Sequence, residues 1–384
     1  MSEYQYYEFL AIDQPLSAAD KRWLRDISTR AEITSTSLTN TYHWGDFKGD
    51  PYELLRRCFD AHVYVSNFGV QDFMVKLARD EFDCSAAAAY VSDTGVALTR
   101  FKNCVVLSFG LDDEPDNWDA WDDGSGWMAS LAPLRDDLLN GDWRALYLAW
   151  LLNVQYDCLE PEESEPPVPA GLGSLSAPCE ALIDFLSIDR TLVEVAAEGS
   201  MALVENHKKV IDWGGYVTGL KPDKRDALLL RLLKGDDPAL RRELSRELRS
   251  KKGNAGGSRS ASTGRTVGAL AEEWQRRVEL GRKRAAEVRA REAKQLAEEW
   301  ARAREEHLCR LVDRGEGPWT EVNLLIRTRT ANSYDEATTL LVDLRDAAAL
   351  DGRETEFAKR LAGIRTKHKA KYTLIRRLDA AGLE

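Results

Sequence analysis

The sequence predicts an α+β N-terminal domain followed by all-α helical subdomains, ending in a long helix and short helical pairs. Three observations carry that reading. Up to Phe109, runs rich in aromatic and β-branched residues alternate with two short, well-capped helical stretches. From Trp127 onward the apolar residues recur at three- and four-residue spacing instead. Between the two regimes of charge lies KKGNAGGSRSASTGRT, residues 251–266, which holds four glycines and no aliphatic residue larger than alanine. Such a run buries too little apolar surface to offset its backbone entropy, so it is expected to be a flexible tether.

Taken in order, residues 4–12 (YQYYEFLAI) read as an opening strand, buried on both faces. Ser17 then caps a helix over 18–28, with Asp20 at its third position and Leu16 as the preceding staple residue. Residues 33–44 read as a second strand ending at the two-glycine turn of Gly45 and Gly49. Asp50 caps a helix over 51–61 whose first position is Pro51. Residues 62–67 and 72–77 read as a strand pair, and 96–101 with 104–109 as a hairpin. Amphipathic helices are expected over 127–139 and 143–156, burying Trp127, Trp143 and Trp150. Residues 160–173 (EPEESEPPVPAGLG), with four prolines and four acids, read as a stiff exposed linker.

The resulting division is a head over 1–158, a helical subdomain over 174–250, the tether over 251–266 and a helical tail over 267–384. The tail opens with a helix over 267–312. Its apolar seam (Leu270, Trp274, Val278, Ala285, Val288, Leu296, Trp300) is too diluted by alanine and charge for a coiled coil, so it is expected to lie against another element. Four helices over 319–328, 334–350, 355–367 and 372–381 follow and suggest the end of a helical-repeat array.

Charge divides the chain more sharply than the net value of −11 implies. Residues 1–200 carry 14 Lys and Arg against 35 Asp and Glu; residues 201–384 carry 39 against 29. The first 200 residues are therefore at −21 and the remainder at +10. That asymmetry points either to electrostatic docking of one half on the other or to a polyanionic partner for the tail. Seven of the head's acids fall within residues 112–123 (DDEPDNWDAWDD), around Trp118 and Trp121. Aromatics displayed amid acids are candidate partner contacts. At the other end, the stretch from Arg365 to Arg377 holds six bases and no acid. Leu374 and Leu378 take its packed face, which leaves Lys367, Lys371, Arg376 and Arg377 toward solvent as candidate contacts.

Motifs of chemistry are not found. The five histidines are far apart, and no CxxC, HxxxH or HExxH occurs. No glycine run opens a phosphate-binding loop, and no serine or cysteine stands in a nucleophile motif. The acidic run lacks the spacing of a calcium loop. No residue is singled out as catalytic, cofactor-binding or metal-ligating. No window approaches the about 18 apolar residues of a membrane helix, and the N-terminus lacks a basic-then-apolar leader. Together with six scattered cysteines, read as buried free thiols, this implies a cytoplasmic protein.

The opening MSEYQYYEFLAID, with YHWGDFKGDP at 42–51, resembles the start of a family of uncharacterised bacterial proteins. Residues 334–383 are similar to the helical tail of bacterial SWIM-type zinc-finger proteins. The SWIM motif CxCx(n)CxH is absent, because no two cysteines stand two apart, so zinc binding does not carry over. The resemblance implies a bacterial source and a tail used for packing or interaction. The expectation is a non-enzymatic cytoplasmic adaptor with a protein partner and no cofactor. A nucleic-acid-binding accessory protein is the alternative and an unrecognised enzyme the third reading.

Overall fold

The computed structural model describes residues 4–92, 94–111, 123–203, 213–233, 240, 244, 247, 260–261 and 264–384. It divides into one unit over Met1–Glu279 and a second over Leu280–Glu384.

In the first unit seven strands form one antiparallel sheet: β1 (Gln5–Leu10), β2 (Glu32–Ile33), β3 (Ser37–Tyr42), β4 (Ala61–Ser66), β5 (Gln71–Ala78), β6 (Gly95–Arg100) and β7 (Cys104–Leu111), in the order β2-β3-β1-β4-β5-β7-β6. The expected strand over 33–44 is two. The Thr34 hydroxyl accepts from the amides of Thr36 and Ser37, folding the chain into a tight turn between β2 and β3. Helices α1 (Ala18–Ile27) and α2 (Pro51–Arg57) begin at their expected caps, with Ser17 accepting from the Asp20 amide and Asp50 from that of Tyr52.

Strand alternation sends side chains to two cores. Phe9, Leu38, Met74 and Val106 meet α1 and α2 on one face. Tyr6, Val63, Val65, Phe73, Val75, Leu107 and Phe109 meet a helical layer on the other. That layer holds α4 (Trp127–Leu131), α5 (Leu134–Leu139), α6 (Arg144–Gln155), α7 (Ala177–Phe185) and α8 (Arg190–Ala197), with the four-residue α3 (Cys84–Ala87) at its margin. The helix expected over 127–139 is broken, because Pro133 has no amide to continue the ladder and stands as the cap of α5. Trp143 and Trp150 are buried and Trp127 half-buried. Leu182, Phe185, Leu192 and Val195 belong to the same core as the sheet, so the stretch after residue 174 is continuous with the head rather than a separate subdomain. Beyond it lie α9 (Trp213–Thr218) and α10 (Pro222–Leu233).

The largest departure from the sequence reading is residues 160–173, expected as an exposed linker. Glu165, Val168, Ala170 and Leu172 are buried. The Glu165 carboxylate is held bidentately by Arg265, with Nη2 to Oε1 at 2.6 Å and Nε to Oε2 at 3.0 Å. The Tyr147 hydroxyl donates to the same Oε1, and burial followed by that carboxylate's charge pushes the phenol's pKa well up. Arg265 also donates to the Val195 carbonyl, and Tyr90 to that of Pro167. Backbone bonds continue the attachment: Glu165 N to Arg265 O, Val267 N to Glu163 O and Gly268 N to Pro161 O. A two-residue strand β8 (Val168–Pro169) pairs with β9 (Ser260–Ala261). The expected tether over 251–266 therefore ends in structure: its last residues form part of the first unit. Residues 251–259 and 262–263 lie outside the described residues.

The long helix α11 (Val267–Asp313) starts from this attachment, burying Val267 and Leu270. The second unit adds α12 (Gly317–Thr328), α13 (Ala331–Leu350), α14 (Glu354–Lys367) and α15 (Tyr372–Ala380). Val322, Ile326, Leu341, Phe357, Leu361, Ile364, Leu374 and Leu378 make its core, and Leu308 and Leu311 of α11 pack with Ala347. The six cysteines are free as expected, but only Cys179 is buried, and Cys158 and Cys309 are exposed.

His62 gives the fold a pH signature. Fully enclosed and stacked on Phe9 at 4.0 Å, it turns Nδ1 toward the Glu8 carbonyl at 3.0 Å. Burial lowers its pKa to about 4, against 6.5 ordinarily. Between those values the unfolded chain takes up a proton that the native state refuses, so this contribution to stability is lost as pH falls through that window. At pH 5 the loss is about 2 kcal/mol. Replacing His62 with Asn, whose amide still reaches Glu8, removes this component. Urea titrations of both proteins at pH 7 and pH 5 should show a smaller acid loss in the variant; equal losses would contradict the assignment.

Candidate interaction surface

The six bases of residues 365–377 do not form a uniform cationic face, because the fold uses some of them. Arg365 donates to Asp379 and to the Leu383 carbonyl, and Arg377 to Asp335. Lys371 donates from Nζ to the Ile326 carbonyl at 2.7 Å and stands 5.7 Å from the Tyr334 ring centre. Arg377 and Lys371 were expected to face solvent; both are half-buried and engaged within the unit, Arg377 as a bridge to α13 and Lys371 on the end of α12. Lys367 and Arg376 are exposed, and no carboxylate among the described residues lies within ion-pair distance of either.

What the fold adds is a meeting of two helix C-termini. The last turns of α12 and α14 both present carbonyls with no helical partner, which carry partial negative charge and attract cations. Arg327 ends one, Lys367 the other, and Lys371 comes in from the start of α15. Arg329, which joins α12 to α13, takes the left-handed conformation (φ 61°) that glycine adopts at lower cost. At the centre His368 caps α14, donating its amide to the Ile364 carbonyl. Its pKa is lowered by burial first, then by the charges of Lys371, Lys367 and Arg327. Two large apolar side chains are exposed on the elements that meet here, Tyr372 (74%) beside Lys371 and Leu324 (65%) one turn before Arg327. Lys369 stands exposed in the turn between α14 and α15, and Arg376, four residues after Tyr372, extends the cations along the same face of α15.

Lys367 and Arg376 were legible in the sequence; Arg327, Arg329 and His368 were not. The only local hint was an arginine in the last turn of a helix, and its approach to residues 367–371 comes from helix packing. Trp118 and Trp121, the other candidate contacts, lie outside the described residues. In the helices after α11 the other bases are largely spent: Arg314 on Glu321, Arg345 on Asp346, Arg353 on Asp351, and Arg360 on Glu316 and Glu356. Among the described residues, no three His, Cys, Asp or Glu side chains are grouped so as to hold a metal ion, and no helix is long and apolar enough to cross a membrane. No protein-family model, curated protein or solved structure matches the chain.

The local field is measurable at His368. Lys367→Gln and Arg327→Gln should each move its pKa upward toward the ordinary value of about 6.5, read from the imidazole proton shifts in an NMR titration. A pKa unchanged in both variants would mean that the cations do not converge there.

Proposed function

We propose that the chain is a non-enzymatic bacterial cytoplasmic adaptor whose helical unit docks an acidic segment of a partner protein on the corner formed by Arg327, Arg329, Lys367, Lys369 and Arg376. The observation that carries this reading is the contrast between that corner and the short helices packed around it. Most bases around it are neutralised by carboxylates of their own unit, while these five have no ion pair among the described residues and stand with exposed Tyr372 and Leu324. A compact cationic patch with apolar neighbours suits a short acidic peptide carrying an aromatic or aliphatic anchor. Residues 112–123 of this chain have that chemistry, with seven acids around Trp118 and Trp121, and define the kind of ligand the corner would take.

The second reading, a nucleic-acid-binding accessory protein, is favoured by one feature, the exposed Tyr372 among Lys369, Lys371 and Arg376. A ring amid cations is also a platform for a stacked base. Against it stands the small extent of the patch, since a backbone track needs bases along its length.

A peptide spanning 112–123, offered to the full chain with its own Trp118 and Trp121 changed to Ala, should bind. Arg327→Glu/Lys367→Glu/Lys369→Glu should weaken it by at least about tenfold while the far-UV circular dichroism spectrum stays that of the folded chain. Replacing both peptide tryptophans with Ala should also weaken it. The acidic-partner reading fails if the peptide does not bind. If single-stranded RNA or duplex DNA displaces it at about 0.15 M salt, with a log–log salt slope of a few phosphates, the nucleic-acid reading takes its place.

A further inference from the structure

Among the described residues, the long helix α11 is covered at its two ends alone. Val267 and Leu270 are buried at one end, Leu308 and Leu311 at the other, and between them nearly every residue from 281 to 307 is exposed. That is roughly 40 Å of helix at 1.5 Å per residue. Among the described residues, the expectation that this seam lies against another element is met at Leu270 and Trp274 but not at Val288, Leu296 and Trp300. Its apolar side chains are nevertheless ordered in steps of three and four: Gly281, Ala285, Val288, then Leu296, Trp300 and Ala303 after the charged step at Glu292. Val288 is 55% exposed, Leu296 56% and Trp300 72%. A helix that is polar all round can stand alone in water; one with a tryptophan and two aliphatics on a single stripe gains by covering them.

The charges along this helix say what covers it. From 282 to 294 there are six bases and two acids, whereas from 295 to 306 there are two bases and four acids. One of those two bases, Arg304, is already paired with Asp343 and Asp346. The segment is thus positive in its first half and negative in its second. A parallel copy would set like charge on like; an antiparallel copy sets each half on its opposite. The same reversal matches most of the apolar stripe and sets Leu296 on the aliphatic stem of Glu292. A two-fold axis near Lys294 brings Val288 to Trp300 of the second copy and Ala285 to Ala303, so the bulkiest side chain meets the smaller ones.

We propose that two copies of this chain associate through residues 281–303 of α11, packed antiparallel about Lys294. The interface is self-complementary, as a two-fold contact must be. It uses none of the cations of the α12–α14 corner, so it operates whether or not that corner binds an acidic partner.

The test is the mass of the full chain in solution, by sedimentation equilibrium across a concentration series. The wild type should reach twice 43.2 kDa. Leu296→Asp/Trp300→Asp should stay at the single-chain mass with an unchanged far-UV circular dichroism spectrum, because both residues are exposed within one chain. Orientation is read from charge. Arg289→Glu/Arg291→Glu and Glu298→Lys/Glu299→Lys should each weaken the dimer, and mixing the two should restore it. A wild type that stays monomeric throughout would overturn the proposal, as would a dimer untouched by the two aspartates. An Arg289→Glu/Arg291→Glu dimer tighter than wild type would overturn the antiparallel arrangement.

Discussion

A buried carboxylate sets the course of this chain. Glu165 is sealed from water, and an ionised group there persists only if every oxygen is served. Arg265 supplies two parallel hydrogen bonds from 100 residues away, Tyr147 adds a third from the core of α6, and Arg265 is in turn tied to the Val195 carbonyl. Losing one partner leaves the other charge stranded, which in buried pairs costs about 3–5 kcal/mol. The consequence reaches past the pair. With Arg265 fixed, the amides of Val267 and Gly268 bond to residues 163 and 161, and α11 begins at a defined place on the first unit.

Much of the architecture was legible from caps and periodicity. Ser17, Asp50 and Pro51 mark helix starts by local chemistry, and the helices of the second unit begin within a few residues of where their three-four spacing starts. The strands of the sheet were legible too, although the turn at Thr34 was not, since it depends on one hydroxyl accepting two amides. Residues 160–173 were misread for a physical reason. Proline and glutamate are the composition of a solvated linker, and nothing local distinguishes a glutamate with a distant arginine from one without. Arg265 carried the same ambiguity, since it closes a glycine- and serine-rich run.

The candidate surface was half legible for a related reason. A run of bases without acids between Arg365 and Arg377 suggested an open cationic face, but a helical unit supplies carboxylates and carbonyls from elsewhere in the chain. Asp335 and Asp379 take Arg377 and Arg365, and the end of α12 takes Lys371. The cations left over are gathered where helix C-termini meet, a place that packing creates. The long helix shows the converse. Its acids and bases alternate closely enough to pair with near neighbours, yet their order along the helix leaves one half positive and the other negative.

The chain from Gly264 to Leu270 is fixed to the first unit rather than running on as a tether. Hydrogen–deuterium exchange of the full chain, read by mass spectrometry on peptides covering 264–270, tests this directly. The amides of Val267, Gly268 and Leu270 should exchange slowly in the wild type, at rates near those of α6, and become fast in Glu165→Ala while α13 keeps its protection. Exchange over 264–270 in the wild type as fast as in an unfolded chain would contradict the attachment and the role given to Glu165.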